Sequence, residues 1–235
     1  MKYILSVFLW IAGGTYFVLL MLFAITCTYL FKPETYDPWL KAGLRGLVKI
    51  MLVKVEMEGA DKLDTNQTYI FMSNHVSLLD MPILGGYIPN FVRAVESDRQ
   101  FSWPIYGYMV LRVGNIAITT GNIYSSIRAF KKAVAHLKSG RSLMLLPEGH
   151  RTISGEMKAF KKLPFHMARE SGKPIVPIGL SGLHTILPKG ARILQPGKAK
   201  IAFGDIITPQ QAKEMTTVEL RDHVMKKVQD LIESP

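Results

Sequence analysis

The chain has 235 residues and a mass of 26.4 kDa, room for one hydrophobic core of about 180 residues plus an appendage. Its net charge of +11 and pI near 9.7 call for anionic partners, but no zinc-finger spacing, aromatic-rich single-strand motif or basic heptad region is present, which excludes nucleic acid. A single cysteine, Cys27, excludes an internal disulfide framework and a Cys-pair zinc site.

From Ile4 to Phe31 no charged residue occurs, and Lys2 and Lys32 close the run. At about 1.5 Å per residue this makes a helix of roughly 40 Å, enough to cross a bilayer with tilt. The run exceeds the roughly 7–15 apolar residues of a cleaved signal peptide. Residues 1–31 are therefore expected to form a retained membrane helix or, if Gly13-Gly14 breaks it, a re-entrant helical hairpin. Lys32, Lys41, Arg45, Lys49 and Lys54 follow, against Lys2 on the other side; the positive-inside bias then puts the bulk of the chain on the cytoplasmic face.

Residues 32–60 read as an interfacial amphipathic helix and linker. Trp39, Leu40, Leu44, Leu47, Val48, Met51 and Leu52 recur at helical spacing within 39–55, with Lys41, Arg45 and Lys49 beside them. An ordinary core helix is the alternative.

Residues 61–235 alternate short apolar runs with helical periods. Strands are predicted over 68–73, 116–119, 143–146, 175–180 and 200–203. Helices are predicted over 124–138 (apolar stripe Ile127, Phe130, Val134, Leu137), 164–171 and 218–233, the last with a capping box from Thr216 and Glu219. This is the pattern of an α/β domain: a central, mostly buried β-sheet flanked by helices, here following an N-terminal membrane-embedded helical segment.

Two stretches carry chemistry, each directly after an apolar strand, where α/β domains place reactive groups. In the first, Asn74-His75-Val76-Ser77-Leu78-Leu79-Asp80, a histidine and an acid stand five apart. On one continuous helix those residues would point about 140° apart, so His75 is expected at or just before a helix start with Asp80 in its first turn. An imidazole oriented by a carboxylate serves as a general base; the spacing is equally compatible with Ser77 and Asp80 forming a capping box while His75 packs in a loop. In the second stretch, Leu146-Pro147-Glu148-Gly149-His150-Arg151-Thr152, the glycine allows close backbone approach and Arg151 brings a planar fork suited to phosphate. A surface turn with a solvated arginine is the plain alternative.

Taken together, His-x4-Asp followed by Pro-Glu-Gly-x-Arg resembles the glycerolipid acyltransferases, in particular the bacterial-type 1-acylglycerol-3-phosphate O-acyltransferases. Asn74, His75, Ser77 and Asp80 match the first block, and Glu148, Gly149 and Arg151 the third. Phe160-Lys161-Lys162 resembles the family's Phe-Lys segment, and Ile175-Val176-Pro177-Ile178 its fourth block. The second block departs: Thr120 stands where the family has an arginine associated with the acceptor's phosphate.

The resemblance implies transfer of an acyl group from acyl-CoA or acyl-carrier protein to lysophosphatidic acid, giving phosphatidic acid at the cytoplasmic face of a bacterial inner membrane. His75 would be the base and Asp80 its orienter. Asn74, Ser77, Glu148, Gly149, Arg151 and Lys161 would bind substrate, Val176 and Pro177 would belong to the acyl-donor region, and no cofactor would be required. No metal set accompanies His166 and Glu170, four apart on a helix. The basic stretch Lys189, Arg192, Lys198, Lys200 is read as meeting anionic headgroups or donor phosphates, or as a merely solvated face. An acyltransferase for another lysolipid, a thioesterase-like hydrolase and a non-catalytic lipid-binding membrane protein remain as alternatives.

Overall fold

A computed structural model describes residues 2–119 and 121–233. Its strands are β1 (Val53–Glu58), β2 (Ile70–Ser73), β3 (Val92–Ser97), β4 (Ile116–Ile118), β5 (Ser142–Leu145), β6 (Ile175–Ser181) and β7 (Gly197–Phe203). They form one sheet in the order β1-β7-β6-β2-β5-β3-β4, in which every neighbouring pair is parallel except β6 with β7. The helices are α1 (Lys2–Leu30), α2 (Pro33–Ile50), α3 (Asp80–Tyr87), α4 (Asp98–Phe101), α5 (Tyr106–Val113), α6 (Ile123–Lys138), α7 (Leu163–Ser171), α8 (Leu183–Ile186), α9 (Pro209–Glu214) and α10 (Thr217–Glu233).

The pleat of β2 distributes the core. Phe71 points into a cluster containing Leu9, Leu47, Val48, Ile83 and Val176, under α1, α2 and α3. Ile70 and Met72 point the other way, to Leu137, Phe165 and Val224 under α6, α7 and α10. The central strands are sealed on both faces, as parallel strands must be when helices cross over them.

Several expectations need correction. Helix α1 runs unbroken through Gly13-Gly14, so no hairpin forms there; the chain turns at Phe31-Lys32 instead, and α2 packs back along α1. That approach is close: a Cβ on Gly46 would lie 2.5 Å from the Tyr16 hydroxyl. Residues 53–58 are not linker but edge strand β1, paired in parallel with β7. Lys41 does not face a membrane surface: it is buried, bonded to the carbonyls of Pro89 and Asn90 and paired with Asp37 at 2.7 Å. Arg45 donates to the Gly86 carbonyl, and Asp37 also meets buried Arg93. Strand β3 escaped prediction because Arg93 and Glu96 interrupt its apolar run. The capping box of Thr216 and Glu219 forms as expected.

Helix α1 is long and apolar enough to cross a membrane. Its outer face bares Ile4, Phe8, Ile11 and Leu19, a surface suited to lipid rather than water.

Candidate active site

The pairing of β2 with β5 sets the site. The two strands are parallel neighbours, so the loops leaving their C-terminal ends start side by side. One loop carries His75 and the other Glu148 to Thr152.

His75 lies in the loop ahead of α3, and Asp80 is the first residue of that helix, as the spacing requires. The ring Nδ1 is 2.6 Å from Asp80 Oδ2, with the His75 side chain 19% exposed and Asp80 fully buried. The Asp80 carboxylate also accepts from the backbone N–H groups of Val76 and Ser77, at 2.8 and 3.0 Å. All of its partners are donors, so it accepts the Nδ1 proton and leaves the Nε2 lone pair to take another. The Ser77–Asp80 capping box does not form, because the Ser77 hydroxyl turns to the Leu187 carbonyl; Asp80 instead gathers the loop's N–H groups and meets the His75 ring.

The backbone of His75 is anchored on both sides. Its N–H donates to Glu148 Oε1 at 2.6 Å, and its carbonyl accepts from the Thr152 N–H at 2.9 Å. Glu148 Oε2 accepts from the Lys158 N–H at 2.9 Å. Burial pushes the Glu148 carboxyl above its ordinary range, opposed by those two backbone N–H groups.

Five sequence assignments change here. Asn74 is buried, its amide closing a two-way clamp on the backbone of Leu180 in β6. Ser77 is buried and donates to the Leu187 carbonyl. Glu148 gives both oxygens to backbone N–H groups. These three side chains are therefore placed to hold the loop rather than to bind substrate. Val176 and Pro177 lie inside a central strand, opposite Phe71 and Met72, and cannot meet a donor.

The outer part of the second loop is different. Gly149 adopts φ +76°, and a Cβ there would fall 2.5 Å from Lys161 Nζ, so a side chain would displace the ammonium. Arg151 is half-buried and Lys161 exposed. His150 stands in a positive field: burial lowers its pKa, and the charges of Lys161, Lys189 and Lys158 lower it further. Lys158, a further candidate for the acceptor's phosphate beside Arg151 and Lys161, and Lys189 of the basic stretch both reach the Arg151 carbonyl. Thr120 lies outside the described residues.

A cavity of about 300 Å³ opens beside the first of these loops, between α1, α2, α3 and the sheet. Leu78 and Leu79, which sit between His75 and Asp80, form part of its wall, with Gly13, Leu20 and Leu47 opposite. Glu96, Tyr106 and Asn115 also line it. Burial raises the Glu96 carboxyl above its ordinary range while bonds from Tyr106 and Asn115 pull it down. Among the described residues no group of three or more His, Cys, Asp or Glu could hold a metal ion; His166 stacks on Phe130.

Residues 54–181 match a family described as Acyltransferase. A 1-acyl-sn-glycerol-3-phosphate acyltransferase of Borreliella burgdorferi is 26% identical over 199 residues, covering 80% of this chain and 78% of that protein. The chloroplastic 1-acyl-sn-glycerol-3-phosphate acyltransferase LPAT1 of Arabidopsis thaliana is 27% identical over 193 residues, 80% of this chain and 54% of the relative. The chain spans about half the length of this and similar plant relatives. The crystal structure of the 1-acyl-sn-glycerophosphate acyltransferase PlsC from Thermotoga maritima superposes with a TM-score of 0.84, at 20% identity and covering 98% of this chain and 95% of that one, which establishes the fold.

Proposed function

The chain belongs to the acyltransferase family, and from that premise we propose that it transfers a fatty acyl group from a thioester of coenzyme A or acyl-carrier protein to the free hydroxyl of 1-acylglycerol-3-phosphate, forming phosphatidic acid. The observation that carries the reading is the His75–Asp80 pair, held on a doubly anchored loop beside an apolar cavity.

His75 Nε2 takes the proton of the acceptor hydroxyl as its oxygen attacks the thioester carbonyl. The tetrahedral intermediate collapses with loss of the thiolate, and the imidazolium returns the proton to that sulfur. Asp80 holds the productive tautomer and stabilises the imidazolium throughout. The apolar cavity takes an acyl chain, for which water is the poorer solvent. Arg151 and Lys161, with Lys158 and Lys189 behind them, supply the charge that meets the acceptor's phosphate. Helix α1 sits in the bilayer with the sheet on the cytoplasmic side of a bacterial inner membrane, so both lipids reach the site from the membrane.

The test uses full-length protein in detergent with labelled palmitoyl-CoA, offering lysophosphatidic acid beside lysolipids of other headgroups. Labelled phosphatidic acid is expected, and the rate should fall on the order of 10²–10⁴-fold in His75→Ala. Transfer only to another lysolipid would replace the acceptor and keep the mechanism. Free fatty acid without any acceptor would make the chain a hydrolase, and an unchanged rate in His75→Ala would remove the base.

A further inference from the structure

The N-terminal half of α6 runs past the core it was expected to cover. Ala129, Ala133 and Leu137 are buried, but Ile127 is 48% exposed and Tyr124 77%. Beside them Leu163 of α7 is also exposed, and the two helices enclose an apolar hollow walled by Ile127, Phe130, Lys131, Leu163 and His166. Helices α6 and α7 follow β4 and β5, which run in the same direction as β2. Both helices therefore begin at the strand edge that carries His75, and the hollow opens along that edge.

Its surroundings are cationic. Helix α6 contains Arg128, Lys131, Lys132 and Lys138 and no acidic residue, and the segment 158–169 adds Lys158, Lys161, Lys162 and Arg169, again with no acidic residue. Among the described residues Arg128, Lys131, Lys132, Lys161 and Lys162 have no ion pair. Bare apolar side chains ringed by unpaired cations form a surface suited to an acidic partner with an apolar contact. Helices α6 and α7 pack on the sheet face opposite α1 and α2. The hollow therefore points away from the lipid that α1 meets, which favours a soluble protein over an anionic membrane.

We infer that the hollow between α6 and α7 is the docking surface for a small acidic carrier protein that presents the acyl donor as a thioester. This rests on the acyl-transfer reading and selects among its donors. Acidic side chains of the carrier face Arg128, Lys131 and Lys132, its apolar residues cover Ile127 and Leu163, and its thioester arm reaches along the strand edge toward His75.

The test presents one acyl chain to the full-length protein in detergent, once as the CoA thioester and once on acyl-carrier protein, with lysophosphatidic acid as acceptor. It compares the natural chain with the triple variant Arg128→Glu, Lys131→Glu, Lys132→Glu. The natural chain is expected to use the carrier thioester, and reversal should lower kcat/KM for that donor by about tenfold or more while leaving transfer from acyl-CoA within about twofold. The preserved acyl-CoA rate also reports that the variant is folded. Equal losses with both donors, indifference of the carrier-dependent rate to the reversal, or a natural chain that uses acyl-CoA alone would each overturn the docking surface while leaving acyl transfer in place. No transfer from either donor would remove the acyl-transfer reading itself, and the docking surface with it.

Discussion

The loop from Asn74 to Asp80 and the loop from Gly149 to Lys162 leave neighbouring strands and meet at the same edge, yet they are built in opposite ways. In the first, Asn74, Ser77 and Asp80 are buried and the N–H groups of His75, Val76 and Ser77 each reach a carboxylate. In the second, Arg151 is half-buried and Lys161 exposed, with no carboxylate paired to either among the described residues. On the proposed acyl-transfer reading, the first loop holds a base, whose position must be fixed within a few tenths of an ångström, and its hydrogen bonds fix it. On the same reading the second loop meets a phosphate, for which side chains without a carboxylate partner keep their charge available.

The largest break in this comparison comes from Asp80→Asn. The amide can donate where the carboxylate only accepts, which lets the imidazole settle with its proton on Nε2, the wrong nitrogen for a base. Turnover should fall on the order of 10²–10⁴-fold with little change in acceptor KM. A drop confined to KM would show that Asp80 serves the loop and not the ring. Next comes Glu148→Gln, which turns an NH₂ toward one of two backbone N–H donors, from His75 or Lys158. The unsatisfied donor costs about 1–3 kcal/mol. It should appear as lower thermal stability, joined by a lower kcat when the unsatisfied donor is the His75 N–H. Loss of stability with kcat intact would place the unsatisfied donor at Lys158.

On the second loop, Arg151→Ala and Lys161→Ala should each raise KM for lysophosphatidic acid about tenfold and spare kcat, as expected for a charged hydrogen bond to a ligand. Discrimination against lysolipids lacking a free phosphate should shrink in parallel. If kcat falls instead, these cations act in the transition state and the contrast between the loops weakens.

How far the sequence reaches follows the same division. The placement of His75 before a helix start with Asp80 in its first turn, and of Arg151 on the neighbouring loop, is legible because spacing and strand-end position carry the signal within a few residues; the role of Glu148 is not, because its partner His75 lies 73 positions away. The roles of Asn74 and Ser77 are not, because their partners Leu180 and Leu187 are separated from them by 106 and 110 positions. Lys41 reads as a surface cation beside an apolar stripe, and only tertiary packing places it between Asp37 and the carbonyls of Pro89 and Asn90. The α6 stripe is misread at Ile127 for a related reason: helical periodicity predicts a face but not where the core beneath it ends.

The smallest expected effect isolates what a buried carboxylate costs when its donors can turn round. Asp80 and Glu148 receive backbone N–H groups, which cannot reverse. Glu96 receives the Tyr106 hydroxyl at 2.6 Å and the Asn115 amide, whose Oδ1 is already held by the Ala94 N–H. In Glu96→Gln the new oxygen can accept from Asn115 and the new NH₂ can donate to the Tyr106 oxygen, whose hydroxyl proton must then turn to another acceptor. Burial is the first cause of the raised Glu96 pKa, so the folded protein holds this proton more tightly than the unfolded chain does. Its contribution to stability is then complete below the ordinary value of 4.5 and is lost as pH rises through the raised folded value. Across that window the natural chain should lose about 1.4 kcal/mol per pH unit through this group, a slope that Glu96→Gln removes. Chemical denaturation in detergent from pH 4.5 upward, with the variant alongside, measures it. Parallel curves would mean that Glu96 has the same proton affinity folded and unfolded, and that side-chain donors hold a buried charge as firmly as the backbone donors around Asp80.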